Sequence, residues 1–140
     1  MIRNERGFTL VELAIVVLII SILAALAQPH YTNMRTRARA AQAVSELAML
    51  RSAVVRFQGL NHTWPPEAAE GEIPAGLEAQ LQDGYTFTRS GYTLDYDYWG
   101  GAPFVVGVTL VTTDSDLGDM IMQIVGSMWK AGDRYSMVIE

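Results

Sequence analysis

Among the residues that could do chemistry, Glu12 most needs a partner. From Phe8 to Ala27 the only polar side chains are Thr9, Glu12 and Ser21. A carboxylate in hydrocarbon costs about 2–3 kcal/mol at the centre of a span and less near an end, so such residues are normally matched to a partner. An amine would serve. If the chain were cut after Gly7, Phe8 would carry a free α-amino group with a pKa of about 8. Phe8 and Glu12 stand four apart, so on one helix the two charges share a face and can neutralise each other within a subunit or between packed neighbours.

The remaining candidates are weaker. Asp114, Asp116 and Asp119 cluster in "DSDLGD", and calcium favours clustered carboxylates. However, Val125 stands where an EF-hand loop needs its bidentate glutamate, and acids in a first helical turn are accounted for by the helix dipole. No metal ligand is assigned. His30 and His62 have no spaced partners and read as surface residues. In "YTLDYDY" (92–98), Tyr92, Leu94, Tyr96 and Tyr98 share one strand face, and Asp95 and Asp97 the other. The acids are expected in water; an aromatic face contacting sugar or peptide is the minor alternative. There is no cysteine, which removes disulfides and thiol chemistry. Nor is there a G-x-S-x-G, a phosphate-cradling glycine loop or an H-E-x-x-H. Neither catalysis nor a cofactor is expected.

The element that carries Glu12 is an apolar run of about 20 residues, about 30 Å as a helix, which matches the hydrocarbon thickness of a bilayer. Three readings fit it. With Arg3 and Arg6 as a basic region and "ALA" (25–27) as a cleavage site, it is a secretory signal ahead of a soluble domain starting at Gln28. It also suits an uncleaved anchor. Only a cut after Gly7 gives Glu12 a partner.

On these residues the front of the chain resembles the prepilin signature of type IV pilins and type II secretion pseudopilins: a basic leader, Gly7, Phe8, Thr9-Leu10, Glu12, then an apolar helix. Pro29 falls where many such subunits carry a helix-distorting proline. The resemblance implies cleavage between Gly7 and Phe8 by a prepilin peptidase/methyltransferase, N-methylation of Phe8, and assembly through Glu12 engaging a neighbour's N-terminus. It further implies copies of the chain and other pilin-like subunits, an inner-membrane assembly platform and, before assembly, membrane lipid as partners. The head would stand in the periplasm, and the product would be a pilus or a periplasmic pseudopilus. A secreted binding domain from Gln28 and a membrane-tethered enzyme are the rivals.

Behind the apolar run the periodicity continues. Ala40, Val44, Leu47, Leu50, Val54 and Phe57 recur in steps of three and four, an apolar stripe with Arg39, Glu46, Arg51 and Arg56 off it. The helix is expected to kink at Pro29 without stopping there, and to end near Gly59 and Asn61. The organisation expected is a leader (1–7), a membrane or filament-core helix (8–28), an amphipathic half (29–60) and a globular head (61–140). Within the head, a proline-rich acidic linker (61–77) precedes a turn at Leu77–Leu81. Strands are expected at 85–89, 92–98, 104–113 and 135–139, with a helix at 114–126 whose apolar face is Leu117, Ile121, Ile124 and Val125. The fold class is α+β and pilin-like: one long kinked helix packed on a small antiparallel sheet with an inserted short helix. Charge is segregated. Residues 28–60 hold five arginines (Arg35, Arg37, Arg39, Arg51, Arg56) against Glu46, a net of +4, whereas residues 61–140 sum to −9. So acidic a body argues against nucleic-acid binding.

Overall fold

The computed structural model describes residues 8–101 and 103–140. Helix α1 spans Leu10–Asn61 and carries on through position 29. Alanine, leucine, arginine and glutamate fill its second half, all good helix formers. Asn61 ends it by donating its side-chain amide to the Phe57 carbonyl (2.9 Å), and His62 turns the chain away at a φ of 56°.

The chain divides into two compact units, Met1–Arg35 and Thr36–Glu140. In the first, the described residues from Leu10 to Arg35 belong to helix α1. Its large apolar side chains are exposed on every side, from Val16 at 43% to Leu10 at 85%. Length and composition suffice for a membrane span.

The second unit is the head. Strands β1 (Thr88–Arg89), β2 (Tyr92–Gly101), β3 (Phe104–Val111), β4 (Trp129–Ala131) and β5 (Arg134–Val138) form one antiparallel sheet in the order β1-β2-β3-β5-β4. β3 is central and buried from Val106 to Leu110, as its run of apolar residues requires. Helix α2 (Ser115–Val125) is inserted between β3 and β4. One core joins Ala40, Ala43, Leu47, Leu50 and Val54 of α1 to Leu94 and Tyr96 of β2, Val108 of β3, Ile121 of α2 and Tyr135 of β5. The stripe thus runs through Ala43, with Val44 and Phe57 only half-buried against it.

Several local expectations needed adjusting. β4 has no counterpart in the sequence reading, although Ala131-Gly132-Asp133-Arg134 carries a two-residue hairpin signal, with Gly132 at φ 66°. The first hairpin strand shrinks to Thr88–Arg89. Tyr98 is exposed, at the last regular β2–β3 pair, opposite Val106, before the register shifts on the way to Gly101. The 61–77 segment is no free linker: Pro65 and Pro74 are buried, and the Tyr96 hydroxyl donates to the Pro65 carbonyl (3.0 Å).

Helix α2 has the ends its sequence suggests. Asp114 accepts from the Leu117 N–H (3.1 Å), and Gly126 closes the last turn at φ 79°. Its buried face, however, is Leu117, Gly118 and Ile121, while Ile124 is exposed. The reason is Tyr135, whose ring lies where a side chain on Gly118 would go, 2.1 Å from an added Cβ. Gly118→Ala should therefore destabilise the fold by about 1–3 kcal/mol through overpacking, read as a lower urea midpoint of the detergent-solubilised chain. An unchanged midpoint would mean that Tyr135 moves aside freely.

Candidate functional site

Gly7 and the leader lie outside the described residues, whereas Phe8, Thr9 and Glu12 are placed. Helix α1 begins at Leu10 because Thr9 caps it. The Thr9 carbonyl accepts from the Leu13 N–H (3.1 Å), and its hydroxyl oxygen accepts from the Glu12 N–H (3.2 Å). Glu12 reaches back: its Oε2 accepts from the Thr9 N–H (2.9 Å) and the Thr9 hydroxyl (2.8 Å). A threonine at the cap and a glutamate at the third helical position form a capping box, which satisfies two backbone donors that a helix start leaves open. Sequence reasoning passed over Thr9, although T-x-x-E ahead of an apolar run is the signal for it.

The box changes the geometry expected of Phe8 and Glu12. Phe8 precedes the cap and lies outside the helix, 77% exposed, so the four-residue spacing along one helix does not apply here. Both bonds to Glu12 end on Oε2. Its other oxygen, Oε1, has no partner among the described residues and can accept a donor from outside the chain. Further along, the Ser21 hydroxyl donates to the Val17 carbonyl (2.7 Å). The three polar side chains between Phe8 and Ala27 are thus each held within the helix, as hydrocarbon demands.

The head has its own polar centre, and here the acids of β2 are not in water. Asp95 is only 4% exposed. Arg134 Nη2 donates to Asp95 (2.7 Å) and to Asp97 (2.8 Å), and Nη1 to Glu70. The Thr109 hydroxyl donates to Asp97 and lies 2.7 Å from the Ser136 hydroxyl. Burial pushes the Asp95 carboxyl above its ordinary range, against the pull of Arg134. Burial likewise raises Glu67, which accepts from the Tyr98 N–H. On α1, Glu46 pairs with Arg89 (3.1 Å); burial first, then the Glu46 charge, pushes the neighbouring Tyr85 hydroxyl up to about 12. Of the acids weighed for calcium, Asp114 caps α2 and faces Arg39 (3.6 Å), and Asp119 pairs with Lys130 (2.8 Å). No group of residues suited to hold a metal is present among the described residues.

Residues 2–27 match the model of the prokaryotic N-terminal methylation motif. The chain is 49% identical over 51 residues to a fimbrial protein of Pseudomonas aeruginosa, covering 36% of this chain and 33% of that one. It is 39% identical over 80 residues to the type IV major pilin protein PilE1 of Neisseria gonorrhoeae, covering 56% and 35%. To the type II secretion system core protein G of Escherichia coli (strain K12) it is 32% identical over 101 residues, covering 69% of this chain and 68% of that one. The match to the fimbrial protein thus spans about a third of that relative's length. No solved structure matches significantly.

The Asp95 site gives a signed pH dependence. Its folded pKa lies above the ordinary 3.8, so ionisation costs the fold stability near neutrality. That cost is relieved as pH falls through the raised value towards 3.8. Between about pH 7 and about pH 4, wild type should gain stability relative to Asp95→Asn in urea melts. A gap independent of pH would show that Arg134 compensates the burial in full.

Proposed function

The chain belongs to the type IV pilin and type II secretion pseudopilin family, and on that premise we propose that it is a structural subunit of a helical filament, cut between Gly7 and Phe8 and methylated on Phe8 by a prepilin peptidase/methyltransferase. It waits in the inner membrane as a single-pass protein with its head in the periplasm. An assembly platform then moves it into the fibre among copies of itself and other pilin-like subunits. The observation that carries this reading is the polar arrangement at the head of the apolar helix. Thr9 satisfies one oxygen of Glu12 and leaves the other open, which suits a neighbour's Phe8 amine. An amine–carboxylate pair of that kind gains strength in a low-dielectric surrounding, and fixing it sets the axial stagger between subunits. Pro29 is the position at which the helix would bend to follow the fibre.

The same helix has two covers in this scheme. Lipid surrounds it before assembly, and the apolar helices of other subunits surround it afterwards. No constellation for catalysis accompanies it among the described residues, and the relatives named above are fimbrial, pilin and secretion-system proteins. A pseudopilus in a type II secretion system is the more specific reading. It is favoured by the reach of the match to core protein G, 101 residues against 51 for the fimbrial protein.

The first measurement is the intact mass and N-terminal sequence of the protein from its native host. A chain starting at Phe8 with one extra methyl group is expected; a start at Gln28 would overturn the reading. Glu12→Ala should insert and be cut normally yet lower fibre yield at least several-fold. Normal yield from that variant would sink the amine pairing.

A further inference from the structure

Basic residues in the head unit sort into two groups. Arg39, Arg89, Lys130 and Arg134 each face an acid of their own chain. Arg37, Arg51 and Arg56, all on α1, are exposed and make no ion pair or hydrogen bond among the described residues. Arg51 stands at the rim of a groove of about 370 Å³ formed by Ala48, Ser52 and Val55 of α1 and by Met137 of β5. Small side chains floor this groove and a cation without a counter-charge edges it, while the residues after position 60 sum to −9.

The acidic counterpart with the right texture is the loop "EAAEGE" (67–72), where three carboxylates are separated only by alanine and glycine. Glu72 is exposed and unpartnered among the described residues. Glu67 and Glu70 each hold their partner through Oε2 alone, leaving Oε1 to accept. The loop cannot fill its own groove. It is tied to Asp95 through the Gly71 N–H (3.4 Å) and to Arg134 through Glu70, on the sheet face opposite the core residues Leu94 and Tyr96. Met137 of the groove packs against the core on the α1 side. Two complementary surfaces on opposite faces of one head make a heterologous contact, the kind that propagates as an open helical array.

Resting on the filament reading, we propose that the Arg51 groove receives the Glu67–Glu72 loop of a second copy. Its carboxylates meet Arg51, and Ala69 enters over Ala48 and Ser52. Exposed ion pairs are individually weak and screened by salt, so this contact orients neighbouring heads and acts by repetition along the fibre. It complements the membrane-level pairing of Glu12 with the Phe8 amine and does not replace it.

The test uses the full chain in cells that assemble it. The chain has no cysteine, so co-expressing differently tagged Ser52→Cys and Ala69→Cys copies lets a disulfide-linked heterodimer report a contact between copies. Sheared fibres should contain that heterodimer after mild oxidation. Arg51→Glu and Glu72→Arg should each lower fibre yield several-fold at unchanged membrane level and processing, and the two together should restore it. Fibres without the cross-link, full yield from Arg51→Glu, or single losses that the double variant does not rescue would each overturn the contact while leaving the filament reading intact. An absence of fibres from the unaltered chain would remove the filament reading and this contact with it.

Discussion

A stretch of helix that is apolar on every side and exposed among the described residues sets the terms for the rest of this molecule. From Leu10 to Leu26 the large side chains stand open. At about 25 cal/mol per Å², leaving so much apolar surface in water is unfavourable enough to decide where the protein can exist. The segment has the length and composition to cross a membrane, and lipid or the apolar helices of other subunits would each cover it. In both settings water is missing, so each polar group it carries needs a protein partner. Thr9, Glu12 and Ser21 meet that demand with bonds inside the helix, and Glu12 Oε1 has no partner among the described residues. On the filament reading proposed above, that oxygen is the group a neighbour's amine would meet.

The head is organised around the second half of the same helix. Ala40, Ala43 and Ala53 let the surrounding elements come close, while Leu47, Leu50 and Val54 fill the space between. With no disulfide available, polar ties fasten the outer layer. Glu46 holds Arg89, Arg39 reaches Ser90 and Asp114, and Arg134 gathers Asp95, Asp97 and Glu70. The proline-rich segment after α1 is thereby strapped over the sheet.

Features governed by local chemistry were legible in the sequence. The long helix, the central strand β3 and the caps of α2 at Asp114 and Gly126 depend on periodicity and on single residues with fixed conformational habits. What escaped depended on contacts between distant positions. The burial of Asp95 is set by Arg134, 39 residues on, and no alternation pattern reveals that partner. Gly118 took the place expected of Ile124 because Tyr135 needed room. Thr9 is a different case. Its T-x-x-E signal is local and readable, but a lone carboxylate in an apolar run points equally to an external partner and to an internal one. Strand β4 was lost through its brevity, three residues ahead of a glycine-aspartate turn.

The two strands at the margins of the sheet are its shortest, two residues in β1 and three in β4. Each also carries a cation, Arg89 on one side and Lys130 on the other. Unpaired strand edges invite further strands and lead towards amyloid-like stacking, and short, charged edges discourage it. Such edges select among modes of self-association. Growth by β-addition is blunted at both margins, which leaves the helix and the faces of the head as the surfaces through which copies can gather reversibly.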